Sequence, residues 1–154
     1  MKLEAHGFDV DLVDGWEGRL FRRAAPSGDE RTNPVLHLAN FPLPEQRDDF
    51  GAGVVEHMRS GDVLVVVFDH GPDAARQPLF AAHGMPRLAA ADFDRRKLQR
   101  AYSGQVGCQR FCNVGGRGIC VYVVVGRASL SARLPEINAV LASVDVLPTT
   151  KEGE

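Results

Sequence analysis

Two uninterrupted apolar runs, Val63–Phe68 and Ile119–Val125, constrain the fold more than any other feature of the sequence. A strand that faces water on one side alternates apolar and polar residues, whereas these runs are apolar at every position. Both are far shorter than the roughly 20 residues that a membrane-spanning helix needs. The pattern therefore predicts two strands inside a sheet that is covered on both faces.

The second run belongs to a predicted β-hairpin. Gly107–Val114 and Gly118–Val125 flank Gly115-Gly116-Arg117, and glycines there suit the positive φ angles of a tight turn. If three residues form the loop, Cys112 lies opposite Cys120.

Further strands are predicted near the N-terminus. Gly7–Leu12 alternates in polarity, Asp14-Gly15 is typical of a turn, and Trp16–Arg23 then completes a hairpin. Val35–Phe41 is predicted as the next strand, which ends before Pro42.

Two helices are predicted. The first covers residues 50–58, where Phe50, Val54, Val55 and Met58 have helical spacing. The second is amphipathic, with Pro135 in its first turn and one apolar face made of Leu130, Leu134, Ile137, Leu141 and Val144. A short strand over Val144–Leu147 is expected to follow.

These elements predict the fold class α+β. The 154 residues are enough for one domain that buries its own core. We expect a single domain over residues 1–148, built on a mainly antiparallel β-sheet with helices and loops covering both faces. Residues 149–154 are expected to form a polar C-terminal tail.

Charge is distributed unevenly along the chain. Residues 1–77 carry a net charge of −6 and residues 78–154 carry +4. This asymmetry indicates either an acidic partner or two parts of one fold that neutralise each other. If a partner exists, the candidate contacts are the bases of the irregular segment: Arg87, Arg95, Arg96, Lys97 and Arg100.

Nucleic acid is not the expected partner. Only Phe93 and Tyr102 lie close to these bases, and the pI is about 6.2. The first six residues are polar and do not resemble a signal peptide, so we expect a cytoplasmic protein.

Three cysteines, Cys108, Cys112 and Cys120, have spacings that match no common zinc motif. They are interpreted as small buried side chains, with a Cys112–Cys120 disulfide as the alternative. A zinc site that uses the thiols and a histidine is disfavoured.

Motifs that carry chemistry are absent from the sequence: it contains no phosphate-binding loop, nucleophile elbow or HExxH pair. Asp69-His70 is the best acid–base candidate. Neighbouring strand residues face opposite ways, however, so a turn-forming role is favoured. We therefore expect no enzyme activity, no cofactor and no metal.

The order of the elements resembles that of the PsbP-like superfamily, which includes Mog-, PsbP- and DcrB-type proteins. The resemblance depends on the entry Asp14-Gly15-Trp16-Glu17-Gly18, the hairpin Gly107–Val125 and the closing stretch Ile137–Leu147. It implies an α/β/α sandwich that acts without catalysis, as an adaptor, an assembly factor or a chaperone. No functional residue is carried over from it.

Three functions remain open from the sequence. The first is a small non-enzymatic accessory or adaptor protein that binds another protein through Arg87–Arg100, with Pro42–Phe50 beside it. The second is a ligand-binding protein or enzyme with a pocket on the sheet, whose polar groups could be His37, His70, Arg110 and Tyr122. The third is a structural subunit of a homo-oligomer or a larger assembly.

Overall fold

The computed structural model describes residues 2–21 and 34–147, which form eight β-strands and one α-helix. The predicted tail at 149–154 and the end of the predicted strand Trp16–Arg23 lie outside these residues. The elements in chain order are β1 Lys2–Ala5, β2 Phe8–Asp11, β3 Glu17–Phe21, β4 Val35–Ala39, β5 Val63–Asp69, β6 Gln105–Val114, β7 Arg117–Gly126, α1 Leu130–Ala142 and β8 Val144–Val146.

The strands form two antiparallel sheets. The smaller sheet has the order β1-β2-β8, and the larger one has the order β3-β4-β5-β7-β6. The two apolar runs are β5 and β7, which pair with each other inside the larger sheet, with Val66 opposite Tyr122. Their predicted position, covered on both faces, is confirmed.

One face of the five-stranded sheet, here called the inner face, packs on the helix and the smaller sheet. It presents alternate residues of β5 and β7, such as Val65 and Val123, which are fully buried. Ile137 of α1 and Phe8 of β2 belong to the same cluster. The hydrophobic core therefore lies between the two sheets and α1.

The opposite, outer face is covered by irregular chain. Val66, Tyr122 and Val124 lie on this face in a second apolar cluster. Residues Val54 and Val55, from the segment between β4 and β5, and Leu98, from the segment before β6, pack against them. The helical structure of these two segments consists only of short 3-10 turns of three residues each.

The expected α/β/α sandwich is therefore wrong, because the described residues contain one α-helix and it covers one face only. The helix predicted over residues 50–58 is reduced to a 3-10 turn, Val55–His57. Gly51 and Gly53 adopt φ angles of 91° and 93°, which interrupt a right-handed helix before it can form.

The hairpin predicted at the N-terminus is also wrong. The turn exists, with Gly15 at φ 84° and the Trp16 amide donating to Val13 O at 3.0 Å. It leads the chain from one sheet to the other, however, because β2 pairs with β1 and β8 while β3 pairs with β4. The Trp16 indole donates to the Glu136 carboxylate on α1, which anchors this crossing.

The central hairpin is confirmed with a shorter loop. Gly115 and Gly116 both have positive φ angles, and Val114 pairs directly with Arg117 across the two-residue turn. Cys112 consequently lies opposite Ile119 rather than Cys120.

The amphipathic helix is confirmed as α1, with Ile137 and Leu141 buried on the expected face. Pro135 lies in its second turn rather than its first, because the helix begins at Leu130. The closing strand is confirmed as β8, whereas β1 has no counterpart among the sequence predictions.

Candidate functional site

A cleft of about 470 Å³ opens on the outer face of the five-stranded sheet. Its floor is formed by Tyr122 of β7. Its first wall comes from the segment after β4 and its second wall from the segment before β6. The lining residues are Asp48, Asp49, Phe50, Ala52, Val55, Gln99, Arg100 and Tyr122. This volume is in the range of sites that hold small molecules.

Tyr122 reaches the floor of the cleft because side chains alternate along β7. Its hydroxyl oxygen accepts a hydrogen bond from the Gln99 amide at 2.7 Å, which links the sheet to the second wall. Burial raises the pKa of Tyr122, and the hydrogen bond from Gln99 opposes that effect. The phenol is therefore a neutral O–H donor at physiological pH.

The first wall is shaped by its two glycines. The Val54 and Val55 amides both donate to Gly51 O, at 2.8 and 3.0 Å, and the Asp48 amide donates to Ala52 O at 2.9 Å. A Cβ atom at Gly51 would lie 2.5 Å from Leu64 Cδ2, so any side chain there would have to displace Leu64 for the wall to stay this close to the sheet.

His37 supports the first wall from behind. It is fully buried on β4, and its Nε2 lies 2.7 Å from Asp49 O. Arg47 Nε donates to His37 Nδ1 at 2.8 Å, which leaves the ring proton on Nε2, where it donates to Asp49. The imidazole thus bridges Arg47 and Asp49 and holds the residues before Phe50 against the sheet.

A row of aromatic rings continues from the cleft along the outer face. Phe50 meets Tyr122 edge to face, with ring centroids 5.5 Å apart, and stacks parallel to Phe68 at 5.9 Å. His70 stacks on Phe68 at 4.6 Å, and Phe80 follows. The Phe50 ring is therefore held in one orientation by aromatic neighbours on two sides.

The second wall is anchored to the edge strand β6. Asp94 and Gly107 exchange backbone hydrogen bonds of 2.8 and 3.2 Å. A side chain at Gly107 would collide with Leu98 and with Val123 O. The Arg96 side chain lowers the pKa of Asp94 to about 2, so this carboxylate stays ionised and caps the 3-10 turn Arg95–Lys97.

The predicted basic residues do not all lie on the same side of the sheet. Arg87 lines a crevice beside α1, on the inner side of the sheet, while Arg100 lines the cleft on the outer side. Arg96 pairs with Asp94 at 3.2 Å, and Lys97 Nζ donates to Asp92 O at 2.8 Å. Arg95 is exposed in the same turn. Arg87 and Arg100 therefore lie on different sides of the sheet, while Arg95, Arg96 and Lys97 share one 3-10 turn.

The polar groups expected in a sheet pocket are also separated. Of the four, Tyr122 lines the cleft and His37 lies behind its wall. His70 is exposed beyond Phe68. Arg110 belongs to the inner side, where it pairs with Asp92 at 3.6 Å.

Asp69 and His70 do not form an acid–base pair. Asp69 is fully buried, accepts from the Gly71 amide at 2.7 Å and pairs with Arg117 at 2.6 Å. Burial raises the pKa of Asp69 and lowers the pKa of His70. These contacts agree with the turn-forming role that the sequence favoured.

The cysteines are free and buried, which agrees with their interpretation as small core side chains. Cys112 belongs to the inner cluster, whereas Cys120 lies two residues before Tyr122 on β7 and therefore faces outward like it. Because the two thiols point to opposite faces, the alternative disulfide is wrong. Burial raises the pKa of Cys108 and of Cys112 to about 11, so both are neutral thiols. Within residues 2–21 and 34–147, no group of three or more His, Cys, Asp or Glu side chains could hold a metal ion.

A second cleft of about 450 Å³ lies beside the first, along the same segment 53–58. Its lining residues are Phe41, Pro42, Pro44, Gly53, Val54, His57, Arg59 and Asp62. The segment Pro42–Phe50, expected beside a binding surface, is therefore divided between the two clefts.

Sequence reasoning missed Ala52 and Gln99 as lining residues, whereas Asp48 lies within the expected segment Pro42–Phe50. Gly51-x-Gly53 was the available signal, because two glycines two residues apart make a continued helix unfavourable and favour a shaped loop. No comparable signal marks Gln99, which reaches the cleft through the pairing of Asp94 with Gly107.

No protein-family model matches the chain, and neither a curated protein nor a solved structure matches it. The similarity to the PsbP-like superfamily therefore stays a prediction. No helix within the described part of the chain is long and apolar enough to cross a membrane.

Proposed function

We propose that this protein binds a small ligand in the cleft on the outer face of its five-stranded sheet. The observation that supports the proposal is a cavity of about 470 Å³ with an aromatic floor and polar groups at its walls. Sites for small molecules combine these features, with an apolar surface for affinity and a few polar groups for orientation.

The aromatic side chains of the site are packed against neighbouring groups of the protein. Phe50 is held between Tyr122 and Phe68, and the wall that carries it is bonded to His37. A ligand with a planar ring could pack on Phe50 and Tyr122 at little cost in side-chain entropy, because these rings are already ordered.

The test is a screen of planar aromatic fragments by ¹H–¹⁵N NMR. We expect hits to shift the amide signals of Ala52, Gln99 and Tyr122. Ala52→Trp places an indole in the cleft and should abolish these shifts. Ala81→Trp adds the same side chain at an exposed position outside the cleft and should preserve them. Fragments that bind the Ala52→Trp protein as well as the wild type would contradict the proposal.

Docking of a protein with an acidic surface is the second candidate, in which the chain acts as an accessory or adaptor protein. It is supported by Arg87 and Arg95, which are exposed and make no ion pair within the described residues. Arg95→Glu should then weaken partner capture at low salt while leaving thermal stability unchanged, because exposed charges steer association and contribute little to folding. Capture that survives this reversal at every salt concentration would exclude that surface.

A cytoplasmic location is proposed on the three free cysteines, since thiols persist in reducing compartments. Cell fractionation tests it directly. Recovery of the protein outside the cytoplasm would contradict it.

A further inference from the structure

The cleft carries opposite charges on its two walls. Asp48 belongs to the first wall and Arg100 to the second, and no ion pair joins these two described residues. The side chains of Asp48 and Arg100 make no hydrogen bond or ion pair anywhere in the described chain. The cleft therefore offers a negative and a positive group whose charges are not neutralised by each other.

Most hydrogen-bonding groups on the floor between these charges already have partners within the protein. Asp49 O accepts from His37, Val55 O accepts from Nε2 of the Gln105 side chain at 2.8 Å, and the Tyr122 oxygen accepts from the Gln99 backbone amide. The Tyr122 hydroxyl proton has no acceptor among residues 2–21 and 34–147. Between the charges, the lining therefore consists mainly of aromatic and aliphatic carbon, together with the Tyr122 hydroxyl donor and the polar residue Gln99.

We propose that the ligand of this cleft is a zwitterion with a planar apolar body, of the class of aromatic α-amino acids. This inference depends on the proposed function, since it names the ligand class of the same site. The ammonium group is held by Asp48, the carboxylate by Arg100, and the ring packs on Phe50 and Tyr122.

The chemistry explains why both charges are needed. A ligand that carries only one of them leaves either Asp48 or Arg100 without a partner. Each charge-assisted hydrogen bond to a ligand then contributes separately to affinity, and a loss of about 1.4 kcal/mol is a factor of ten in Kd.

Calorimetry with three probes tests the inference: L-tryptophan, tryptamine, which lacks the carboxylate, and indole-3-propionate, which lacks the ammonium group. We expect L-tryptophan to bind at least about tenfold more tightly than either analogue. Arg100→Gln should weaken L-tryptophan by a similar factor and leave tryptamine unchanged. Asp48→Asn should weaken L-tryptophan and leave indole-3-propionate unchanged.

Matched controls are available at exposed positions outside the cleft. Arg76→Gln and Asp73→Asn remove the same charges from side chains that form no ion pair in the described chain, and they should leave all three affinities unchanged. These variants separate the local contacts from the effect of net charge.

The inference is overturned if the three probes bind equally, or if Arg100→Gln weakens tryptamine as much as L-tryptophan. It is also overturned if none of the probes binds while other fragments still occupy the cleft, an outcome that leaves the proposed function intact. Failure of every fragment to bind in the cleft overturns both.

Discussion

The inner and outer faces of the five-stranded sheet are formed by the same strands, yet they are covered in different ways. Val123 and Val124 are neighbours on β7, both are buried, and they point to opposite faces. The inner face is closed by a helix and a second sheet. The outer face is closed by two irregular segments that leave clefts between them and the strands.

Because of this difference, the inner face mainly supplies the packed core of the protein, and the outer face carries the candidate site. Regular elements bring whole apolar faces together and leave little space, whereas loops cover the sheet in short stretches held by individual hydrogen bonds. Asp48, Gln99 and Arg100 are supplied by these loops, while the sheet supplies the fixed floor. The candidate site is therefore located where packing is least continuous.

The largest expected effect comes from removing the same side-chain atoms on each face. Val123→Ala should lower the free energy of unfolding by about 2–3 kcal/mol, because the closed inner core cannot collapse into the cavity. Val124→Ala should cost about 1–2 kcal/mol, since the loops over it can relax. Urea denaturation measures both, and equal losses would show that the two covers are equally rigid.

The glycine in the first wall tests how closely the outer cover approaches the sheet. Gly51→Ala should destabilise by about 1–3 kcal/mol and reduce fragment binding, because it adds strain at φ 91° and a contact with Leu64. Gly15→Ala is the matched control, with φ 84° and open space around the added Cβ. It should show the cost of strain alone and preserve binding. If the two variants behave alike, the close approach at Gly51 is unimportant.

Thiol labelling compares how readily the covers of the inner and outer faces open. All three cysteines should react slowly with an aromatic disulfide reagent at pH 8, because burial raises the pKa of each thiol. At low urea, Cys120 should be labelled before Cys108 and Cys112, since the outer cover opens locally at lower cost. Mass spectrometry of the labelled peptides shows the order. Simultaneous labelling would mean that both covers open only on global unfolding.

The smallest expected effect is on the pH dependence of stability. Burial raises the pKa of Asp69 above its unfolded value of 3.8, so its contribution is complete below that pH and is lost as pH rises through the folded pKa. The stability of the wild type relative to Asp69→Asn should therefore decrease as pH rises from 3.8.

His70 should show the opposite trend. Partial desolvation of the ring beside Phe68 and Phe80 lowers its pKa below 6.5, so its contribution is present above pH 6.5 and is lost as pH falls through the folded pKa. The stability of the wild type relative to His70→Gln should therefore decrease as pH falls below 6.5. Urea titrations between pH 4 and 8 measure both differences, and a slope of the reverse sign for either residue would contradict its pKa direction.

The regular elements were the most predictable part of this chain. The central pair β5 and β7, the glycine hairpin and the helix α1 follow from apolar runs, turn residues and 3.6-residue periodicity. The predicted helix over residues 50–58 was wrong because the spacing of apolar residues gives no information about the positive φ angles of Gly51 and Gly53. Which bases lie together could not be predicted, since Arg87 and Arg100 are carried to opposite faces by the segment between them.

The amino-acid sequence by itself determined that two strands are buried on both faces and that a helix covers part of the sheet, because local patterns of apolar residues encode burial. Only the tertiary structure decided that β2 pairs with β8 rather than β3. It also decided that Asp48, Arg100 and Tyr122 meet in one cleft. Contacts between residues so distant in the chain depend on which strands pair and in what register, and no local periodicity carries that information.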